Sequence, residues 1–353
     1  MSIFRKRIFI SNLILLLLLL SSLGTILNSE VSADSISYDP WNFIAMGDGR
    51  NWEENITNPV RKSIIENVVT NNPNMEFILH TGDMVQSGGE QDDWDKYYED
   101  IELATQNNVT FYYAIGNHET YTYSLEDGSY GPQEWNFSTY MANVEMPGNE
   151  RYYSFDHNQV HFIVINTEEF WTSGSLELTT EQENWIINDL SSNQDANLTI
   201  VMCHRPFYSI RSESRADDAL AIRTILEPIF IEYGVDIVFS GHDHYYLRTT
   251  RQGITHFTTG GAGAPLYTPA ATSYAIEGDA YFAEFNYINV TVTNEEIVFK
   301  TLVFSEDFQT VTMEDTFTIS LLPEEEPTKT SFSLLYVLSV FTILVVVRRK
   351  LKQ

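Results

Sequence analysis

Cysteine is almost absent from this sequence: Cys203 is the one cysteine in 353 residues. A single cysteine excludes an internal disulfide, so the fold must draw its stability from a hydrophobic core. Cys203 ends the apolar run LTIVMC, where we expect a small buried hydrophobic side chain. Internal repeats and long linkers are also lacking between residues 38 and 320, which are therefore predicted to form one domain.

Positive charge is scarce as well, with 20 Lys and Arg against 49 Asp and Glu. The two ends, residues 1–33 and 323–353, hold eight of the basic residues and four of the acidic ones, so the body between them keeps 12 against 45. Such a surface is soluble and repels nucleic acid and anionic membranes, although a salty habitat would also favour it. We therefore expect no nucleic-acid partner.

Long apolar runs are confined to the two ends of the chain. Residues 1–33 contain a basic start (RKR at 5–7), a long apolar run and the small residues VSA at 31–33. This order predicts a secretory signal peptide that is cleaved after Ala33. An uncleaved signal anchor is the alternative, because the apolar run is long.

The C-terminal run, residues 331–347, carries no charge and is just long enough to span a bilayer. An acidic linker (321–330) precedes it and a basic tail (348–353) follows it. A buried core helix is the alternative, but between these charged flanks such a helix would have little to pack against. Basic flanks stay on the cytoplasmic side of a membrane. We therefore expect a single-pass membrane protein whose body lies outside the cell.

Between the ends, apolar strands alternate with amphipathic helices up to about residue 240, and from about 254 to 320 the pattern predicts strands only. Strand–helix alternation favours a parallel sheet with helices packed outside it. The strand-only region fits two facing sheets better than one Rossmann-like sheet. The expected class is α/β, a four-layer α-β-β-α sandwich.

Polar residues of metal-ligand type follow five of the predicted strands. They are Asp48, Asp83, Asn117 with His118, His204, and His242 with His244. Loops at the carboxyl ends of strands are where α/β folds assemble their sites. Each motif alone is weak, because GD is a common turn and a lone histidine is usually structural. Five such motifs in order, each directly after a strand, predict a metal site.

With these motifs the chain resembles the calcineurin-like metallophosphoesterases, and especially their purple-acid-phosphatase-like branch. The matching pattern is the first Asp block, GDMVQSG, GNHE, a lone His and GHDH, and the flanking stretches YYSFDHNQVHFIVIN, CHRPFYS and TTGGAGAPLY are similar too. The resemblance covers residues 40–285. It implies a phosphoester hydrolase with two metal ions (Fe, Zn or Mn) at one sheet edge.

The resemblance also implies a role for each motif residue. Its six metal ligands would be Asp83 as the bridge, Asp48 and His244 on the first ion, and Asn117, His204 and His242 on the second. The ion pair would activate a shared water to hydroxide, which attacks phosphorus in line. His118 would protonate the departing oxygen as general acid. A structural hydrogen-bonding role is the alternative for His118.

Two positions depart from the family pattern. Arg50 stands where the general family has a His two residues after the first Asp, and Gln86 stands where the purple phosphatases have a Tyr three residues after the bridging Asp. The first ion therefore lacks its usual extra ligand, and no purple charge-transfer colour is expected. Arg50 could bind substrate phosphate through its planar fork, or form only a salt bridge in an acidic protein.

Other residues have weaker interpretations. His80, three residues before Asp83, is expected to be a hydrogen-bonding neighbour of the site and not a ligand. Structural roles are expected for His157, His161 and His256, and a part in shaping the substrate mouth for Arg205, Tyr208, Tyr246 and Arg248.

Three functions remain open from the sequence. The first is a membrane-tethered phosphomonoesterase that acts outside the cell. The second is a phosphodiesterase or nucleotide pyrophosphatase, since the same metal centre serves both reactions. The third is a non-catalytic surface binding protein with a vestigial site.

Overall fold

The computed structural model describes residues 39–51, 56–123, 130–132, 138–172, 176–308 and 310–322. The predicted signal peptide (1–33), the apolar segment 331–347, the basic tail and all but two residues of the acidic linker lie outside these ranges. Within them, no helix combines the length and the apolar character needed to cross a bilayer.

The elements of the described ranges follow one another in chain order. The strands are β1 (Trp41–Met46), β2 (Phe77–His80), β3 (Thr110–Tyr113), β4 (Tyr121–Tyr123), β5 (Tyr130–Pro132), β6 (Tyr153–His157), β7 (Val160–Val164), β8 (Leu198–Met202), β9 (Ile237–Ser240), β10 (Tyr246–Arg251), β11 (Ile254–Thr259), β12 (Ala280–Phe282), β13 (Asn286–Val292), β14 (Glu296–Phe304) and β15 (Val311–Ser320). The helices are α1 (Pro59–Asn71), α2 (Gln91–Asp100), α3 (Glu102–Gln106), α4 (Ser138–Asn143), α5 (Glu169–Thr172), α6 (Thr180–Ser192) and α7 (Glu213–Glu232). Short 3-10 turns cover His118–Thr120 and Thr272–Tyr274.

The three longer helices begin at side-chain caps that the sequence specifies. Asn58 accepts hydrogen bonds from the first backbone N–H groups of α1, and Pro59 follows at the helix start. Thr179 caps α6 and Ser212 caps α7 in the same way. Short polar side chains at this position satisfy amide donors that have no partner within the helix, and proline has none to satisfy.

The strands form two mixed sheets and one small hairpin. The first sheet has the order β15-β14-β13-β1-β2-β3, the second β12-β10-β11-β9-β8-β7-β6, and β4 pairs with β5. Strands β1, β2 and β3 are parallel, as are β7, β8 and β9. Parallel strands end at a common edge, so the loops after β1–β3 meet there, as do the loops after β8 and β9.

Aromatic side chains fill the space between the two sheets. Phe43 of β1 contacts Phe162 of β7 and Phe239 of β9, with ring centroids 5.6 and 6.1 Å apart. The next residue, Ile44, points to the opposite face and packs in one cluster with Ile64 of α1. Because successive strand residues face opposite sides, each sheet contacts the other sheet on one face and helices on the other.

The second sheet buries its outer face against α6 and α7. Val201 of β8 and Val238 of β9 belong to one buried cluster with Ile186 of α6 and Leu226 of α7. The prediction of an α/β protein with two sheets between helices is therefore confirmed.

Three local predictions differ from the structure. The run DDWDKYYEDIELATQ predicts one helix over residues 92–106, but in the structure it is interrupted at Ile101, whose backbone closes α2 before α3 begins. Strand β10 was not predicted, because its sequence directly follows the GHDH motif. Tyr246 and Arg248 of β10 bind Asp315 of β15, at 2.8 and 2.7 Å, so they join the two sheets and do not shape a substrate mouth.

Candidate metal centre

The backbone is strained at three of the predicted ligands. Asp48, Asp83 and His242 have φ values of 59°, 55° and 66°, in the left-handed region that non-glycine residues rarely adopt. Such a conformation costs about 1–3 kcal/mol for each residue and persists only where the surroundings enforce it. The fold thus holds three of the predicted ligands in this conformation, in the loops after β1, β2 and β9.

Glycine lets these loops approach one another closely. A Cβ atom on Gly116 would lie 2.3 Å from Oδ1 of Asp83, and one on Gly241 would lie 2.2 Å from Oδ2 of Asp48. Any side chain at either position would displace a carboxylate. The glycine that precedes the ligand in GNHE and in GHDH is therefore required for the site to close.

Three side chains converge around Nε2 of His204. This nitrogen lies 3.1 Å from Oδ1 of Asn117, 3.1 Å from Nδ1 of His242 and 3.4 Å from Oδ1 of Asp83. The other ring nitrogen of His204 donates to the carbonyl of Thr81 at 2.8 Å. That hydrogen bond fixes the tautomer and leaves a lone pair on Nε2 for a cation.

A second cluster shares Asp83 and adds Asp48 and His244. Donor atoms of these three buried residues all lie within 4.8 Å of one another. His244 donates from Nδ1 to the carbonyl of Pro265 at 2.7 Å, and its Nε2 lies 3.4 Å from Oδ1 of Asp48. Imidazole nitrogen and carboxylate oxygen suit Zn, Fe or Mn, so this donor set also fits a metal ion.

Burial sets the protonation of these ligands. It lowers the pKa of His244 to about 3, and burial together with the Arg205 charge lowers the pKa of His242 well below its usual value, so both imidazoles are neutral. Burial raises the pKa of Asp48 to about 8. For Asp83, burial acts in the same direction, but electrostatic interactions with His204, His118 and Arg50 hold its pKa below the ordinary range.

His242 presents its two ring nitrogens to different partners. Nδ1 faces His204, whereas Nε2 lies 3.1 Å from a guanidinium nitrogen of Arg205 and also contacts the guanidinium of Arg215. Arg205 itself forms a two-bond ion pair with Glu168, at 2.8 Å for each bond. Ligation through Nδ1 requires the proton on Nε2, so the arginines must turn away from that nitrogen when an ion binds.

His118 lies beside the shared carboxylate. Its backbone N–H donates to Oδ1 of Asp83 at 3.0 Å, and its Nδ1 donates to the carbonyl of Gln86 at 2.7 Å. The second bond orients the ring and leaves Nε2 as the nitrogen that can exchange a proton. Burial lowers the pKa of His118 to about 4, with the Arg50 charge acting in the same direction.

Glu119 is a site residue that the sequence reasoning missed. Its buried carboxylate accepts backbone hydrogen bonds from Gly116 at 2.7 Å, Asp83 at 2.9 Å and Met84 at 2.8 Å. One side chain thus joins the loops after β2 and β3. The acidic last position of GNHE was the signal that could have found it.

The structure thus brings all six predicted ligands to one edge of the two sheets, where they form two clusters that share Asp83, with His118 and Arg50 beside them. His80 lies behind the site, where its Nδ1 accepts the Gly82 N–H at 3.3 Å. His161 bridges Asp156 and Asp189, at 2.7 Å to each, away from these clusters.

Fold and site together define the class of protein. The sequence profile described as calcineurin-like phosphoesterase matches residues 58–246. This match covers more than half of the chain, and the chain belongs to the calcineurin-like phosphoesterase family.

Similarity to particular proteins points to the purple-acid-phosphatase-like branch. Acid phosphatase type 7 of Mus musculus is 29% identical over 257 residues, which cover 62% of this chain and 55% of that protein. Probable inactive purple acid phosphatase 9 of Arabidopsis thaliana is 28% identical over 203 residues, or 49% and 29% of the two chains. The chain thus spans about half the length, or less, of these relatives.

Solved structures share the fold. The purple acid phosphatase PPD1 from yellow lupin superposes with a TM-score of 0.64 at 23% identity, over 80% of this chain and 54% of that one. GAP50 of Plasmodium superposes with a TM-score of 0.58 at 18% identity, over 82% and 91% of the two chains.

Proposed function

We propose that this protein is a metal-dependent phosphoester hydrolase, a phosphatase of the purple-acid-phosphatase-like type. The observation that carries the proposal is the pair of buried donor clusters that share the Asp83 carboxylate, with His118 hydrogen-bonded to the same carboxylate. A shared carboxylate holds two cations about 3.5–4 Å apart, the spacing that two-metal phosphatases use. When bound, the ions would acidify a water molecule and withdraw charge from the phosphoryl group.

His118 is the proposed general acid. Because its Nδ1 donates to the Gln86 carbonyl, the transferable proton resides on Nε2. With a pKa lowered to about 4, the imidazole carries this proton mainly under acidic conditions. The reaction should therefore be faster in acid than at neutral pH.

Arg50 is the proposed substrate-binding residue. Its guanidinium is held beside the centre by a 2.6 Å hydrogen bond to Oε1 of Gln86 and lies 3.7 Å from Oδ2 of Asp83. A planar guanidinium can bind two phosphate oxygens at once. The alternative of a simple salt bridge to Asp83 is tested by the Michaelis constant of Arg50→Gln.

We also propose that the body acts outside the cell on a phosphorylated small molecule or surface group, anchored to the membrane through residues 331–347. This part rests on the basic and apolar pattern of the two ends alone. Protease added to intact cells should remove the body. Full protection of the body would contradict the proposed topology.

Two other functions keep specific support. A phosphodiesterase or nucleotide pyrophosphatase would use the same donor clusters. A non-catalytic role has a precedent in name among the relatives, one of which is described as a probable inactive purple acid phosphatase.

A panel of phosphomonoesters, phosphodiesters and nucleotides separates these functions. The full-length protein in detergent is stripped with chelator and assayed with Fe, Zn or Mn added back singly and in pairs. We expect hydrolysis of monoesters that disappears on chelation and returns with metal. Activity that survives exhaustive chelation would contradict the proposed chemistry, and hydrolysis of no phosphoester with metal restored would favour the non-catalytic role.

A further inference from the structure

We propose that Arg50 makes the two cation sites unequal, so that the Asp48 cluster fills its site only when an oxyanion is bound as well. The proposal rests on the proposed function, because it assumes that the donor clusters hold metal ions. It adds an order of filling and assigns Arg50 as the group that links ion binding to phosphate binding.

The two clusters offer different numbers of ligand atoms to a metal ion. The His204 cluster provides four protein ligands, and the one charged ligand among them is Asp83. The Asp48 cluster provides three, and among the described residues no further Asp, Glu, His or Cys joins it. Gln86 supplies no ready fourth donor, because its side-chain oxygen accepts from Arg50 at 2.6 Å. An ion held by three protein donors needs ligands from solvent or substrate to complete its shell.

Charge separates the clusters further. Oδ1 of Asp83 faces the His204 cluster, 3.4 Å from Nε2 of His204 and 3.0 Å from the backbone nitrogen of His118. Oδ2 of Asp83 instead lies 3.7 Å from Nε of Arg50. A cation bound by Asp48, His244 and this second oxygen would therefore sit close to a fixed guanidinium. Like charges at such distances repel strongly where the surroundings are buried.

Arg50 is placed to relieve this repulsion through an anion. Its side chain is 11% exposed, and its Nε has no hydrogen-bond partner among the residues that the structure describes. Its NH1 is anchored on Gln86 and on the backbone carbonyl of Asn51. A phosphate oxygen that accepts from the guanidinium would offset its charge and could complete the ion's shell. Phosphate and the ion in the Asp48 cluster should then strengthen each other's binding reciprocally.

The test counts ions on the full-length metal-free protein. Mn²⁺ alone is titrated with and without inorganic phosphate and followed by calorimetry, by mass-spectrometric metal counts after dialysis, and by the electron paramagnetic resonance signal of coupled Mn²⁺ pairs. Wild type is compared with Arg50→Gln and Arg50→His. Both variants remove the guanidinium charge, and the histidine also adds an imidazole nitrogen that can bind a metal ion. Arg151→Gln, a charge change in a loop outside the site, is the matched control.

We expect wild type to bind one Mn²⁺ tightly in the His204 cluster and another weakly in the Asp48 cluster. Phosphate should raise the affinity for the weaker ion by about 10- to 100-fold. Arg50→Gln should raise the affinity for the weaker ion without phosphate and reduce the effect of phosphate on it. Arg50→His should do both more strongly. Arg151→Gln should match wild type. The proposal would be overturned if phosphate-free wild type bound two Mn²⁺ ions with equal affinity. It would also be overturned if both Arg50 variants bound the weaker ion with the same affinity as wild type. If no Mn²⁺ binds tightly to wild type, this proposal fails, whereas the proposed function fails only if the add-back panel shows no hydrolysis with Fe or Zn either.

Discussion

Replacing Arg61 by methionine tests whether the ligand loops are held in place from behind. Arg61 lies in α1, is 2% exposed and uses one guanidinium nitrogen for two loop carbonyls, Gly49 at 2.9 Å and Met84 at 2.6 Å. These carbonyls follow β1 and β2, next to the carboxylates of the site. The remaining nitrogens bind Asp100, which is equally buried.

The cost of the substitution follows from these contacts. Arg61→Met keeps an unbranched apolar stem but leaves the Asp100 carboxylate buried without its cation, a change that costs about 3–5 kcal/mol. Adding Asp100→Asn removes the unpaired charge and keeps an acceptor for the Asn58 N–H, now 2.6 Å away. The double variant should therefore recover about 0.5–3 kcal/mol relative to the single one.

The assay is urea unfolding in the presence of chelator, so that ion binding does not contribute to the free energy of unfolding. Lys62→Met, at the exposed neighbouring position of α1, is the control and should change stability by less than about 0.5 kcal/mol. Ion content measured without chelator should stay low in both Arg61 variants, because the two loop carbonyls remain unanchored. A loss below about 1 kcal/mol for Arg61→Met, typical of exposed ion pairs, would refute the reasoning. So would a double variant no more stable than the single one.

Three further predictions concern the site and its surroundings. Asp83→Asn should abolish phosphatase activity and lower the metal content, because the shared charge is lost; retention of both ions would contradict the bridging role. His118→Ala should keep the ions and lose about 10²–10⁴ in rate, with a smaller deficit for nitrophenyl phosphate, whose leaving group hardly needs a proton. If it empties the site instead, His118 is a ligand. Burial opposes protonation of His161, but its hydrogen bonds to Asp189 and Asp156 prevail and raise its pKa. Its contribution to stability is therefore complete below the ordinary pKa of 6.5 and is lost as the pH rises through the raised folded value, and His161→Gln should flatten this part of the unfolding-versus-pH curve.

The sequence by itself determined most of the elements and the six candidate ligands. The apolar run WNFIAM ends at a glycine, a pattern that predicts a strand over residues 41–46, and the structure has β1 over Trp41–Met46. The candidate ligands could be chosen without coordinates, because each follows such a run directly, and parallel strands bring their carboxyl ends together. Local patterns were sufficient wherever a residue's role depends on its own strand or helix.

Contacts between distant parts of the chain were decided by the tertiary structure alone. Arg61 and Asp100 are 39 residues apart, and Arg248 and Asp315 are 67 apart, so neither ion pair leaves a periodic signal in the sequence. Glu119 looked like the last letter of a motif, and only the fold shows that its carboxylate binds the loop after β2. The sequence places charged groups along a chain, but which of them meet in the interior depends on how the layers pack. That packing brings Arg50 to Asp83, the contact from which we infer that the two cation sites are unequal.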